Sequence, residues 1–272
     1  MTKSVFITLA LASCITIADN NRMAHERLQP ENAPPTLEQV SRLGYALGYD
    51  PSRRQPLWVA YRLRKEDVEG ELVEREDCFK HDGDVSNSPW PNEYNYSEYG
   101  YDRGHMAPAG DMEYDREIMR DSFFMSNMSP QVPYINRVVW RKIEDFTRKA
   151  AKKFGEIFVI TGPVFLGDEG FLPSPSQKQE AIKSADGDIP IPVAFYKVLY
   201  TRVRGGMLLA FLVENSDEDE KVRWYEKREW METAPHRTKT IEQLTGFRFF
   251  PDVDSDDQDG LRDECDISFW QL

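Results

Sequence analysis

Three long runs of apolar, β-branched and aromatic residues constrain the fold of this chain more than any other feature. They are EIFVITGPVF at 156–165, IPVAFYKVLY at 191–200 and MLLAFLVEN at 207–215. Such runs are typical of central strands that are covered on both faces. A further segment, PLWVAYRLRKED, alternates in polarity and predicts a core strand from Leu57 to Leu63. We therefore expect an α+β domain built on a central sheet.

Helical spacing occurs in other parts of the chain, and these segments should flank the sheet. Thr36 predicts the start of a short helix that ends near Gly48. The same spacing recurs at 113–124, at 136–153 and around 238–245. By contrast, HDGDVSNSPWPNEYNYSEYGY at 81–101 has no periodicity and predicts a long surface loop. Loops of this length in compact domains are usually functional.

The net charge of −13 argues at first against a nucleic-acid partner, but the charge is unevenly placed. Residues 214–220 carry a net charge of −5 and residues 251–266 carry −7, so the rest of the chain is nearly neutral. Within it, residues 137–153 hold seven bases against two acids. This basic segment is either a solvated helix flank or a face that binds an anionic partner.

The length of 272 residues favours one large domain. We expect it to span 36–250, after a flexible segment at 14–35 and before an acidic C-terminal tail at 251–272, whose apolar end should dock back. If Cys14 is removed or modified, Cys78 and Cys265 remain as one potential disulfide pair. The sequence leaves open whether they are joined or free.

The N-terminus is similar to an export signal. Residues 1–13 combine Lys3 with the apolar run SVFITLALAS and a small-residue end, which predicts a signal peptide. The stretch LASC at 11–14 also resembles the lipobox of bacterial lipoproteins, in which Cys14 would carry a lipid anchor to the outer membrane. We therefore expect an exported protein, either anchored through Cys14 or soluble in the periplasm or medium.

The motif DRGH at 102–105 places several chemically useful groups side by side directly after the long loop. His105 can serve as a base near pH 7. Asp102 is a carboxylate that could orient it, and Arg103 can bind phosphate. Of the four histidines, only His105 has an Asp and an Arg beside it, which favours catalysis over a structural role.

A second group of polar residues follows about thirty residues later. The segment SNMSPQ leads into a predicted helix in which Asn136, Trp140, Glu144 and Arg148 recur at steps of four. Residues at this spacing form a slowly rotating stripe on a helix. Trp140 is expected in the core, whereas an amide, an acid and a base in line indicate a functional surface.

The ordered set DRGH, SNMSPQ, N-x-x-x-W-x-x-x-E-x-x-x-R, ITGPVF and IPVAFYKV resembles the DNA/RNA non-specific endonucleases of the ββα-metal class, an endonuclease G-like family. The resemblance covers roughly residues 57–213. It implies a central antiparallel sheet with flanking helices, one of which carries Asn136. It also implies a Mg²⁺-dependent endonuclease that cleaves DNA, RNA or both, with Mn²⁺ as the alternative ion.

The resemblance also assigns roles to individual residues. His105 would be the general base, with Arg103 beside it for phosphate contact. Asn136 would be the single protein ligand of Mg²⁺, and Glu144 would hold a metal-bound water. Arg148 would contact phosphate, and the upstream arginine of the family falls on Arg75. One departure is Val138, because the family usually has Gly two residues after the ligand Asn.

Two other classes of function remain open from the sequence. The first is a catalytically silent, exported lipoprotein that binds nucleic acid. The joint presence of His105, Asn136 and Glu144 argues against it. The second is a metal phosphodiesterase that acts on another phosphate ester.

Overall fold

The computed structural model describes residues 25, 27–92, 96–165, 180–183, 187–216, 235–236, 238–251 and 267–270. The predicted signal peptide, Cys14, Cys265 and most of the two acidic segments lie outside these residues. Cys78 forms no disulfide within the described part of the chain. None of the described helices combines the length and the apolar character that crossing a membrane would require.

Seven described strands form one antiparallel sheet in the order β1-β2-β3-β6-β9-β10-β11. Their bounds are β1 Glu38–Ser41, β2 Ala46–Asp50, β3 Gln55–Arg64, β6 Glu156–Val164, β9 Ala194–Thr201, β10 Met207–Glu214 and β11 Pro235–His236. The core strand predicted at Leu57–Leu63 and the three long apolar runs are therefore confirmed as neighbours in the centre of the sheet. The predicted α+β class is also confirmed.

Strand β3 is buried on both of its faces over most of its length. Val59, Tyr61 and Leu63 point into one hydrophobic core, while Trp58 and Ala60 point into a second core on the opposite face. Successive side chains in a strand lie on opposite faces, so a strand buried on both sides has no polar positions to reveal its period.

The helix predicted from Thr36 to Gly48 is wrong. This segment forms the hairpin β1–β2, in which Val40 pairs with Leu47. Tyr45, Leu47 and Tyr49 point into the first core, as a period of two requires. Pairing of β2 with β3 completes this edge of the sheet, and such tertiary pairing outweighs the local helical pattern.

A small second sheet positions the residues of the DRGH motif. Strand β4, Asp102–His105, pairs antiparallel with β5, Met128–Gln131, and a third two-stranded sheet joins β7, Ala181–Ile182, to β8, Ile189–Pro190. After β5 the chain enters a π-helical turn at Ile135–Trp140 that continues as helix α3. The described helices are α1 Lys65–Glu69, α2 Arg116–Asp121, α3 Arg141–Phe154, α4 Thr238–Thr245 and α5 Ile267–Trp270.

Both ends of the described chain pack against the domain. Leu28 lies in the second core, and Glu31 exchanges backbone hydrogen bonds with Arg248. Described residues that precede Thr36 therefore pack against the domain. Near the C-terminus, α5 docks back as predicted, with Trp270 buried against Phe146.

Close packing of β4 against β5 predicts that a larger residue in place of Gly104 would destabilise the fold. A Cβ atom there would lie 2.2 Å from the Gln131 Oε1 atom, and Gln131 is fully buried. We expect Gly104→Ala to lower the free energy of unfolding by about 1–3 kcal/mol, measured by urea denaturation. Gly83→Ala is the control, since nothing lies within 4 Å of its added Cβ. Equal stability of the two variants would contradict this packing.

Candidate active site

An open pocket of about 590 Å³ lies between β4, the π-helical turn and the segments that precede β4. It brings together residues that are far apart in the sequence. The basic residues that line it are Arg75, Arg103, Arg137 and Arg141. Other polar residues of its wall include Asp77, Asp102, His105, Asn136 and Glu144.

The extended backbone of β4 decides which DRGH side chains act together. Because side chains alternate along a strand, Arg103 and His105 share one face. Phe79 contacts both of them, with its ring 5.7 Å from the His105 ring and 5.0 Å from the Arg103 guanidinium carbon. The Arg103 Nη2 atom also donates to the Pro91 carbonyl oxygen at 2.8 Å.

Asn127, from the SNMSPQ segment, fixes the turn that follows His105. Its backbone carbonyl accepts from the Met106 N–H at 3.0 Å. Its side-chain oxygen accepts from the Ala107 N–H at 2.9 Å, and its amide nitrogen donates to the carbonyl oxygens of Ala107 and Ser122. Asn127 therefore has a structural role, because its hydrogen bonds hold the backbone that follows His105.

The His105 ring is held in apolar surroundings. The ring of Phe123 meets it edge-on at 4.8 Å, and its Nε2 atom is buried without a hydrogen-bond partner among the described residues. Desolvation by burial, with a smaller contribution from the Arg75 charge, lowers the pKa of His105 to about 3. The imidazole is thus neutral at pH 7, which is the form that can accept a proton.

Asp102 orients the start of the helix and does not act as the orienting carboxylate of His105. Its carboxylate accepts from the Asn136 Nδ2 atom at 2.9 Å and from Arg137 Nε and Nη2 at 2.8 and 2.6 Å. With Nδ2 engaged in this way, the Asn136 Oδ1 atom has no hydrogen bond to a described residue. The π-helical turn, a feature frequent at functional sites, places Asn136 and Arg137 together on the pocket wall.

Glu144 lies at the boundary between the pocket and a buried cluster of charges. Burial raises the pKa of Glu144 to about 7, although the charge of Lys197 on β9 opposes that rise. Lys197 is fully buried, and its Nζ atom lies 3.4 Å from the Tyr61 hydroxyl. Tyr61 in turn donates to Asp111 at 2.8 Å.

Arg148 belongs to the same cluster and does not line the pocket. Its guanidinium donates to Asp111 at 2.7 Å and also pairs with Asp145. Gly110, which does line the pocket, lies against this guanidinium, where an added Cβ would be 3.1 Å from Nη1. The predicted phosphate contact of Arg148 stays a prediction. Trp140 is buried in the core as expected.

Arg75 reaches the pocket from the segment before the long loop. Its guanidinium carbon lies 5.2 Å from the centre of the Phe123 ring, and its Nε donates to Asp77 at 2.9 Å. The structure therefore gathers Arg75, Arg103, His105, Asn136 and Glu144 at one pocket, while their chemical roles stay predictions.

Sequence-based prediction missed Lys197 and Asp111, whose charges act on Glu144. A lysine inside the apolar run AFYKVLY was an available signal, because a charged residue is almost never fully buried without a partner. Nothing local marks Asp111, whose partners Tyr61 and Arg148 are 50 and 37 residues away in the sequence.

Comparison with known proteins decides the family of the chain. The family model described as DNA/RNA non-specific endonuclease matches residues 25–256. The chain belongs to this family. The resemblance inferred from the motifs is thereby confirmed, and this member of the DNA/RNA non-specific endonuclease family is a nuclease, a hydrolase that acts on nucleic acid.

Individual relatives agree with this assignment. Human mitochondrial endonuclease G is 31% identical over 222 residues, which cover 80% of this chain and 72% of that protein. Nuclease C1 of Cunninghamella echinulata is 32% identical over 230 residues, which cover 83% and 86% of the two chains. A crystal structure of an EndoG/EndoGI complex matches with a TM-score of 0.68 and 28% identity, covering 83% of this chain and 90% of that one.

The position of the pocket divides the bases of the basic segment at 137–153 into those that line it and those that do not. Arg141 lines the pocket, whereas Lys149, Lys152 and Lys153 are exposed elsewhere on α3. For this nuclease we expect Arg141→Ala to reduce the salt slope of duplex DNA binding by up to about 0.9, the contribution of one phosphate contact. Lys149→Ala, which removes the same charge from the same helix, is the control. Equal slopes for the two variants would mean that the pocket does not hold the phosphates.

Proposed function

We propose that this nuclease is a Mg²⁺-dependent endonuclease in which His105 is the general base. A water molecule would attack the phosphorus atom, its proton would pass to the His105 imidazole, and the bond to the leaving ester oxygen would break. The observation that carries the proposal is that His105 lines the same pocket as Arg75, Arg103, Asn136 and Glu144. Burial lowers the pKa of His105, so the imidazole is neutral at pH 7 and able to accept a proton.

The donor groups of the pocket fit a hard divalent cation. Among the described residues, no cluster of three or more His, Cys, Asp or Glu side chains could hold a metal by itself. The Asn136 Oδ1 atom, however, is left without a hydrogen bond once Asp102 has accepted from Nδ2. Asn136 would bind Mg²⁺, or Mn²⁺, directly, and Glu144 would hold it through water. The bound ion would stabilise charge on the phosphate and on the leaving oxygen.

Four arginines would place the phosphate chain across the pocket. Arg75 and Arg103 approach on the side of His105, and Arg137 and Arg141 approach from the helix. Contacts to phosphates position a nucleic acid but carry no direct sequence information. This supports cleavage of DNA, RNA or both with little sequence preference.

Export and lipid anchoring through Cys14 stay proposals, since they concern residues outside the described part of the chain. The human relative is a mitochondrial protein by name, and the fungal relative is named only as a nuclease. Neither name bears on the compartment of this chain.

The general-base role predicts a separation of chemistry from binding. With saturating Mg²⁺, the purified protein should convert supercoiled plasmid to nicked circles, and EDTA should stop the reaction. His105→Ala should lower this rate by about 10²- to 10⁴-fold, because the proton acceptor is lost, while DNA affinity changes only a few-fold. A variant that folds normally and keeps more than about a tenth of the parent rate would exclude His105 as the base.

The ligand role of Asn136 predicts a change in metal requirement. Asn136→Ala should raise the Mg²⁺ concentration that gives half the maximal rate by at least about 10- to 100-fold. Loss of an outer-shell partner alone usually weakens metal affinity by that factor. Glu144→Ala should produce a smaller shift, because it acts through water. The measurement is initial rate against Mg²⁺ concentration for the parent and both variants. An unchanged Mg²⁺ requirement in Asn136→Ala would exclude direct ligation.

A further inference from the structure

Trp90 is an exposed aromatic side chain held in a defined position. It is 53% exposed, one of four large apolar side chains that are exposed among the described residues. Its ring stacks on the His81 ring with centroids 4.0 Å apart and planes 5° from parallel. Since His81 covers one face of the indole, the exposed surface comes mainly from the opposite face and the edges.

The loop that carries this stack is tied to the domain at several points. The buried Asp82 carboxylate accepts from Arg42 at 2.7 Å and from the Ser126 hydroxyl. Further along, the Asn87 carbonyl oxygen accepts from the Arg54 Nε atom at 2.8 Å. These contacts fix the loop before any ligand binds, which lowers the entropic cost of using it as a binding surface.

Both residues of the stack are close in sequence to residues at the catalytic pocket. The next residue, Pro91, accepts a hydrogen bond from Arg103, which lines the pocket. His81 follows Phe79, another lining residue, by two positions. Because consecutive Cα atoms are about 3.8 Å apart, the His81 Cα lies no more than about 7.6 Å from that of Phe79, and Trp90 is directly bonded to the residue that contacts Arg103.

We propose that Trp90, supported by His81, is a stacking subsite for a nucleobase of single-stranded substrate. The proposal rests on the proposed nuclease function and adds a preference to it. Bases of a single strand are free to stack on an aromatic side chain, whereas bases inside a duplex are already stacked on each other. Any base can use this contact, so the subsite adds affinity without sequence readout.

Binding measured without cleavage tests the subsite. Fluorescence anisotropy in EDTA would compare a labelled single-stranded oligonucleotide with its duplex, using the parent, Trp90→Ala and Trp90→Phe. Trp90→Ala should weaken single-strand affinity on the order of 5- to 100-fold and duplex affinity by less than about two-fold. Trp90→Phe keeps a stacking ring and should retain most of the affinity. Val203→Ala, another exposed apolar side chain that does not line the pocket, is the control and should change neither value.

A spectroscopic readout keeps the proposal testable even if Trp90→Ala fails to fold. An oligonucleotide that contains 2-aminopurine should lose fluorescence when the parent protein binds it, because the base stacks on the indole. Bound oligonucleotide with unchanged fluorescence would overturn the subsite, as would equal losses of single-strand and duplex affinity in Trp90→Ala. A protein that neither binds nor cuts nucleic acid would instead overturn the proposed function, so the two failures are distinguishable.

Discussion

Burial of charge beneath the helix α3 is the constraint on which the rest of the site depends. Lys197 and Asp111 are fully buried, and a charge removed from water must find a partner nearby. Lys197 lies on β9, Asp111 follows the DRGH strand, and Arg148 lies on α3. Asp111 attracts both cations, and it therefore connects the sheet, the turn and the helix at one point. The charge of Lys197 also acts on Glu144 at the pocket edge.

A second carboxylate, that of Asp102, connects strand β4 with the start of the helix that carries Asn136. Asp102 belongs to β4, yet it accepts hydrogen bonds from Asn136 and Arg137 at the start of the helix. The same residue thus precedes the proposed base by three positions and orients the proposed metal ligand. Removing either of these two anchors would shift the helix relative to β4, and errors of about 1 Å are enough to impair catalysis.

The sequence predicted the central strands well, because a strand depends on local pattern. Val59, Tyr61 and Leu63 lie two positions apart, and this spacing both predicts a strand and places them on one face of it. Arg75, Arg103, His105, Asn136 and Glu144, chosen from the sequence, meet at one pocket. Prediction failed at Thr36–Gly48, where pairing with β3 decides the structure. It also missed Lys197 and Asp111, since their partners are distant in the chain and no short-range pattern records such contacts.

The π-helical turn at Ile135–Trp140 contains one residue more than a regular α-helix would need to cover the same length. The spacing of residues across this turn therefore does not follow the 3.6-residue period of an α-helix. Deletion of one residue after the turn, between Trp140 and Glu144, would leave the turn in place and rotate Glu144 by about 100° around the helix axis relative to Asn136. The length of this stretch therefore matters to the site as much as its side chains do.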